Sequence, residues 1–195
     1  MREIVEKILA DSLEVKERYI LDNMSSIILL AEKIATAFTN DRKLLLCGNG
    51  PAAATAQVIA AGFVNRYSLP RPPLPAMALS SDSVVLTGIA GEYSFDDVFS
   101  KQVKSLGMGG DVLLAVSADG NDESILSAVK AAGGQKMYTA AFIGADGGRL
   151  ADLLDLPLVA AADQRPRIAE AHMLAGHILC HLVDHILFQS HLSEG

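Results

Sequence analysis

A glycine-rich turn near the first strongly apolar run carries groups that can bind an anion. The run 43–47 is followed by Gly48, Asn49 and Gly50, and an alanine-rich segment then begins at Pro51. Glycine accepts positive φ and lets a ligand approach the backbone, and proline suits the first turn of a helix. A strand, a tight loop and a helix N-terminus would together aim N–H groups at a phosphate. A purely structural strand-to-helix turn has the same pattern, so the glycines alone leave both interpretations open.

Three histidines near the end of the chain are spaced for one face of a helix. His177, His181 and His185 follow one another at intervals of four, and Asp184 lies beside them. Histidines spaced i, i+4 can share a metal ion. The alternative is that they form the polar flank of a buried helix. The spacing therefore raises a new metal site as a hypothesis without establishing it.

The composition bounds the class of protein. The chain has 195 residues, half of them hydrophobic, and a net charge of −7. This length suits one α/β domain with a sizeable core, and the apolar fraction suggests that copies of the chain cover part of its surface. The negative charge argues against direct binding of nucleic acid, and no apolar run is long enough for a membrane span. Cys47 and Cys180 lie in apolar segments, which favours reduced thiols in a cytoplasmic protein.

Alternating periodicities predict an α/β fold with a parallel sheet. Residues 3–38 have helical spacing and predict two helices. Buried strands are predicted at 44–47, 76–79, 111–117, 137–143 and 156–161. Helices are predicted at 51–65, 82–90, 95–105, 123–132 and 167–188. Because strands and helices alternate, we expect one five-stranded parallel sheet with helices on both faces.

Short motifs recur along the chain in a fixed order. They are Gly48-Asn49-Gly50, Asn65-Arg66-Tyr67, Leu74-Pro75-Ala76, Asp111-Val112-Leu113-Leu114, Asp146-Gly147-Gly148 and Arg167-Ile168 to His172. In this order they resemble the sugar isomerase (SIS) domain proteins, and within them the phosphoheptose isomerases and the initiator-associating (DiaA) branch. Residues 84–87 and 101–103 look most like that branch. The resemblance implies a single SIS domain over 1–195, with a three-layer flavodoxin-like fold and a homotetramer that uses the helices of residues 1–40.

The resemblance also implies a phosphosugar site whose cradle is altered here. Its ligand contacts would fall on Gly48, Asn49, Gly50, Glu92 and Ser117. Where the family reads Gly-Asn-Gly-Gly-Ser and Ser-Thr-Ser-Gly-Asn-Ser, this chain reads Gly48-Asn49-Gly50-Pro51-Ala52 and Ser117-Ala118-Asp119-Gly120-Asn121-Asp122. The carboxylates of Asp119 and Asp122 thus lie where the family binds a phosphate, and their negative charges would repel it.

The family's zinc site is depleted in the same way. Val58, Gly62 and Ala169 occupy the positions of three zinc ligands, and only His177 matches the final ligand and acid/base. None of the three can ligate a metal or carry a proton. We therefore expect a vestigial His177 and no zinc, unless His177, His181 and His185, here called the histidine stripe, together form a new site.

These losses favour a non-catalytic, DiaA-like adaptor that binds the replication initiator DnaA. The resemblance places a matching Leu-Phe pair on the partner surface of the initiator-associating protein, which here is Leu187 and Phe188. We expect this pair to be exposed, although a helix end packed on its own subunit is the alternative. The competing functional hypotheses are a sedoheptulose 7-phosphate (phosphoheptose) isomerase with a rebuilt site and a phosphosugar-binding protein without turnover.

Overall fold

A five-stranded parallel sheet forms the middle layer of the computed structural model, which describes residues 1–189. Its strand order is β2-β1-β3-β4-β5. The strands are β1 (Leu44–Gly48), β2 (Ala76–Ala78), β3 (Val112–Ser117), β4 (Tyr138–Gly144) and β5 (Leu156–Ala160). The order 2-1-3-4-5 is that of flavodoxin-like folds, so the predicted three-layer α/β architecture is confirmed.

Helices cover both faces of this sheet. They are α1 (Arg2–Asp22), α2 (Met24–Thr39), α3 (Pro51–Val64), α4 (Ser83–Glu92), α5 (Ser100–Leu106), α6 (Glu123–Gly134) and α7 (Arg165–Phe188). The predicted helix at 95–105 is divided in the structure into a 3-10 turn, Phe95–Asp97, and α5. A second 3-10 helix, Gly148–Leu153, begins within the Asp146-Gly147-Gly148 motif and was not predicted from the sequence.

Two apolar clusters lie on opposite sides of the sheet because successive strand residues point to opposite faces. Leu44 and Leu46 of β1 face the cluster that includes α2, α3 and α7. Leu45 and Cys47 face the cluster formed with α5 and α6. Every residue of β1 and β3 is buried, as expected for strands covered on both sides. Cys47 and Cys180 are free and buried, which confirms the expectation of unpaired thiols.

Helix α7 is the central helix of one of these layers. Within residues 1–189 it is the one helix whose length and composition would allow a membrane span, and 44% of its apolar window is buried inside the protein. It packs against α1, α2 and α3. Its apolar stripe, which includes Ile168, Ala175 and Leu179, belongs to the core. Packing within the domain therefore accounts for the apolar character of the buried part of α7.

A buried ion pair ties α7 to the end of α3. Arg71 Nε lies 2.7 Å from Asp184 Oδ1, and both side chains are only 1% exposed. The same guanidinium donates to the backbone carbonyls of Phe63 and Gly62, each at 2.8 Å. These are carbonyls of the last turn of α3, which have no partner within their own helix. Arg71 therefore joins the proline-rich connector, the end of α3 and the C-terminal part of α7 at one point.

Removing the cation should be costly because it leaves Asp184 buried without its counter-ion. We expect Arg71→Met to lower the free energy of unfolding by about 3–5 kcal/mol in urea denaturation. Arg66→Met, at an exposed arginine nearby, should change it by less than about 0.5 kcal/mol. The double variant Arg71→Met/Asp184→Leu should recover part of the loss, and equal losses in the single and double variants would contradict this account.

Candidate functional site

A cavity of about 290 Å³ lies at the carboxyl ends of β1 and β3. These neighbouring strands form the point where the strand order reverses, which is where ligands bind in open α/β sheets. The polar side chains of its lining are Asn49, Thr55, Ser117, Asp119, Asp122, Arg165 and His172. Hydroxyl, amide, carboxylate, imidazole and guanidinium groups thus converge on one small space, a set suited to a ligand rich in oxygen atoms.

The first wall is the turn from β1 into α3. Gly50 has φ +54°, so a residue with a side chain would be strained at this position. A Cβ at Gly48 would lie 2.8 Å from the Ala52 carbonyl carbon, so that glycine is required for the turn to close against the helix. No side chain caps the N-terminus of α3, and Asn49 Nδ2 donates instead to Ser124 Oγ at 3.0 Å. The positive end of α3 therefore faces the cavity.

The second wall is the turn from β3 into α6. Ser117 Oγ donates to Asp122 Oδ2 and accepts the N–H of Gly120, both at 2.9 Å. Asp122 is the N-cap residue of α6, yet its side chain accepts no cap hydrogen bond from that helix. An aspartate in this position usually accepts one from the first turn. Its carboxylate is therefore turned into the cavity and held there by Ser117.

An ion pair crosses between the second wall and the start of α7. Arg165 Nη2 lies 2.9 Å from Asp119 Oδ2, and the two side chains are 75% and 37% exposed. The other carboxylate oxygen of Asp119 accepts the N–H of Asn121 at 3.0 Å, which holds the turn. Within the described part of the cavity lining, Asp122 is thus the carboxylate that has no cationic partner.

His172 of α7 lies in the lining with only 2% of its surface exposed. Its ring contacts those of Tyr19 and Phe142, with centroids at 5.6 and 5.9 Å. Burial lowers the pKa of His172 from 6.5 to about 4, opposed in part by a hydrogen bond with the backbone of Ile143. The imidazole is therefore neutral at pH 7, and its Nε2 has no hydrogen-bond partner among residues 1–189.

The predicted ligand residues separate into two groups. Asn49, Gly50 and Ser117 line the cavity. Gly48 is buried in β1 beneath the turn, so it shapes the loop without lining the cavity. Glu92 is the exposed last residue of α4 and also lies outside the lining.

His177 lies in a separate cleft between α1 and α7 and does not reach the cavity. Asp122 lies in the cavity, as expected from its place in the phosphate cradle, whereas Arg165 and His172 were not predicted as lining residues. Of these, His172 had a usable signal, because it lies among apolar residues at helical spacing, which indicates burial against the sheet.

The zinc ion implied by the family resemblance does not fit the residues present. Val58 is apolar and 43% exposed, and a Cβ at Gly62 would lie only 3.0 Å from Cys180 Sγ. Neither position can present a donor atom, and Ala169 has none. Among residues 1–189, no group of three or more His, Cys, Asp or Glu side chains is arranged to hold a metal ion, the histidine stripe included.

The expectation of an exposed partner anchor at the end of α7 is wrong. Leu187 and Phe188 are partly buried and pack against the apolar cluster of α2, α3 and α7. Leu187 also lines a shallow cleft with Thr36 and Thr39 of α2. The pair closes the core at the end of its own helix, which was the alternative interpretation of this motif.

Comparison with known proteins defines the class. The SIS domain family model matches residues 9–144. The phosphoheptose isomerase of Nitratidesulfovibrio vulgaris strain Miyazaki F is 41% identical over 192 residues, covering 98% of this chain and 92% of that protein. The phosphoheptose isomerase of Clostridium acetobutylicum is 39% identical over 196 residues and the match covers both chains completely.

Solved structures agree with these matches. The phosphoheptose isomerase of Neisseria gonorrhoeae superimposes with a TM-score of 0.89 at 38% identity, covering 94% of this chain and 98% of that one. The enzyme of Francisella tularensis gives a TM-score of 0.90 at 32% identity, covering 93% and 97%. The fold and the cavity thus define a SIS-domain protein. More narrowly, the chain belongs to the phosphoheptose isomerase family.

These relatives overturn the main functional hypothesis drawn from the sequence. Proteins that are 41% and 39% identical over nearly the whole chain are phosphoheptose isomerases, which contradicts assignment as a non-catalytic, DiaA-like adaptor for DnaA. That hypothesis gave most weight to the missing zinc ligands and to the Leu-Phe pair. The pair is partly buried against the core, and the missing ligands exclude only one form of the chemistry.

The depressed pKa of His172 should make the folded state sensitive to acid. Because this pKa is about 4 in the folded protein and 6.5 ordinarily, the unfolded chain takes up the proton first as the pH falls. The free energy of unfolding should be constant well above pH 6.5. Protonation of His172 alone should lower it by roughly 3 kcal/mol between pH 6.5 and pH 4. Urea denaturation at several pH values measures the effect. His172→Gln should flatten the curve and exposed His185→Gln should not, so an unchanged slope in His172→Gln would contradict the assignment.

Proposed function

We propose that the protein is a phosphosugar isomerase of the phosphoheptose class, acting on sedoheptulose 7-phosphate or a close analogue through a rebuilt, metal-independent site. The observation that supports this most directly is the cavity itself. It stands at the strand-order switch point of a phosphoheptose isomerase fold, and its lining includes both a carboxylate without a cationic partner and a neutral imidazole. Aldose–ketose conversion requires these two kinds of group, one for the proton on carbon and one for the protons on oxygen.

Asp122 is the proposed base in this site. In an aldose–ketose conversion, a base takes the proton from the carbon next to the carbonyl and returns it to the former carbonyl carbon. Asp122 is the candidate because its carboxylate is free of helix capping and is oriented by Ser117. Asp119 is already engaged by Arg165. The proton leaves carbon for the carboxylate and an enediolate forms. Nε2 of His172 takes the proton of the neighbouring hydroxyl and gives it to the former carbonyl oxygen, and the carboxylic acid returns its proton to the former carbonyl carbon.

His172 is the proposed partner at the substrate oxygens. A neutral imidazole has one N–H donor and one acceptor nitrogen, and the hydrogen bond with the backbone of Ile143 uses the donor, so Nε2 is left to accept a proton or a hydrogen bond. Its unpaired Nε2 would gain a hydrogen bond from a sugar hydroxyl placed at this end of the cavity. Thr55 and Asn49 provide further polar groups on the facing wall.

A phosphosugar-binding protein without turnover is the second candidate. The specific observation in its favour is that Val58, Gly62 and Ala169 occupy the positions of three zinc ligands in the family resemblance. Binding without turnover needs the cavity but no base. The two candidates therefore differ in the expected effect of replacing Asp122. The replacement should lower the reaction rate of an isomerase, whereas in a binding protein it can change only the affinity.

Chelator-treated protein should interconvert sedoheptulose 7-phosphate and its aldose isomer. We expect Asp122→Asn to lower kcat by roughly 10²-fold or more, the usual size of a general-base contribution. Asp152→Asn removes an exposed carboxylate outside the cavity and should leave kcat unchanged. Activity followed by NMR, with metal content measured on the same sample, provides the test. Saturable binding with no turnover would replace the isomerase by the binding protein, and activity lost on chelation would contradict the metal-independent site.

We further propose that the protein is a cytoplasmic homotetramer in which another copy covers α1. Apolar side chains at Val5, Leu9 and Leu13 of this helix are 66, 57 and 56% exposed. Leu13 also forms one side of the open cleft that contains His177. Symmetric self-association is the common way to bury such a surface.

A charge on this surface should disrupt the assembly. Leu9→Glu is expected to give a species of lower mass than wild type in light scattering at micromolar concentration, because the carboxylate would be buried without a partner. Lys7→Glu, on the same helix, should keep the wild-type mass. A monomeric wild-type protein would overturn the proposal.

A further inference from the structure

The mouth of the cavity contains an arginine side chain at an electrostatically unfavourable position. Arg165 is the first residue of α7, at the positive end of the helix dipole, where a positive side chain is destabilising. The first turn of α7 contains no acidic residue to offset it. Among the described residues that line the cavity, Arg165 is also the single positively charged side chain. An anion beside Arg165 would satisfy both the guanidinium and the helix end.

Asp119 provides that anion within the chain. Its Oδ2 lies 2.9 Å from Arg165 Nη2, while its Oδ1 remains bonded to the N–H of Asn121. The pair is largely exposed to solvent, so it is held weakly. Because Arg165 is 75% exposed, its guanidinium can move to a new partner without disturbing the buried part of α7.

The turn after β3 cannot bind a phosphate by itself. The hydroxyl of Ser117 is already used by Asp122 and by the N–H of Gly120. The N–H of Asn121 is taken by Asp119. A phosphate placed on this turn would meet two carboxylates and few free donors. It must therefore be held from the opposite side of the mouth, where Arg165 stands.

We infer that Arg165 anchors the phosphate of the ligand and that Asp119 occupies the guanidinium as a built-in competitor when the cavity is empty. This inference rests on the proposed function for the presence of a phosphorylated ligand. Binding is then an exchange of one anion for another on the same guanidinium. Arg165 selects phosphorylated sugars over neutral ones, and Asp119 sets how tightly they are held.

Inorganic phosphate and sedoheptulose 7-phosphate are the probes, with unphosphorylated sedoheptulose as the comparison. Titration calorimetry and ³¹P NMR line widths measure the affinities of the full-length protein. Arg165→Ala should weaken both phosphorylated probes by roughly 10- to 100-fold, the loss expected for a charge-assisted contact, and leave sedoheptulose unchanged. Arg165→Lys should recover part of that loss because a charge remains.

Asp119→Asn should tighten both phosphorylated probes by about two- to fivefold, since an exposed ion pair no longer competes. The amide oxygen can still accept the N–H of Asn121, so the turn is kept. Arg149→Ala removes a nearby exposed arginine that lies outside the cavity lining and serves as the matched control.

Equal phosphate affinity in wild type and Arg165→Ala would overturn the inference, as would the absence of phosphate binding in every variant. Failure of the proposed isomerase function would give a different result from failure of the phosphate anchor. If the phosphate response depends on Arg165 while sedoheptulose 7-phosphate is not converted, the anchor stands and the isomerase does not.

Discussion

The buried ion pair between Arg71 and Asp184 is the constraint on which the layout of the domain depends. A guanidinium out of contact with water is tolerated only when its donors are satisfied, and here the carboxylate and the last carbonyls of α3 satisfy them. The connector after α3, the end of that helix and the C-terminal part of α7 are therefore held together at one point. The two helices whose N-termini border the cavity are fixed relative to each other by this contact.

The cavity keeps the position of a SIS-domain ligand site and changes its charges. The fold places the turns after β1 and β3 side by side at the switch point, whatever residues they contain. In this chain the second turn holds two carboxylates, one engaged by Arg165 and one oriented by Ser117. A neutral imidazole closes the site from α7. The proposed metal-independent isomerase would use these side chains for proton transfer.

Much of the fold follows from the sequence because buried parallel strands give continuous apolar runs, as in β1 and β3. The site was harder to predict. Motif matching selected His177, but α7 turns that residue towards α1, while His172 lies on the side that packs on the sheet. Glu92 was assigned by alignment position, yet α4 ends with this residue exposed. The role of Asp122 depends on a helix cap that is not made, which no spacing rule reveals.

The contact at Gly62 couples two positions of the chain that are far apart in sequence. A side chain at this position would crowd the buried sulfur of Cys180, and the carbonyl of Gly62 is already an acceptor for Arg71. A glutamate at position 62 would require the sulfur to shift or Cys180 to be replaced as well. A glutamate introduced on its own would disturb this packing before it could offer a metal ligand, so the residues at positions 62 and 180 constrain each other.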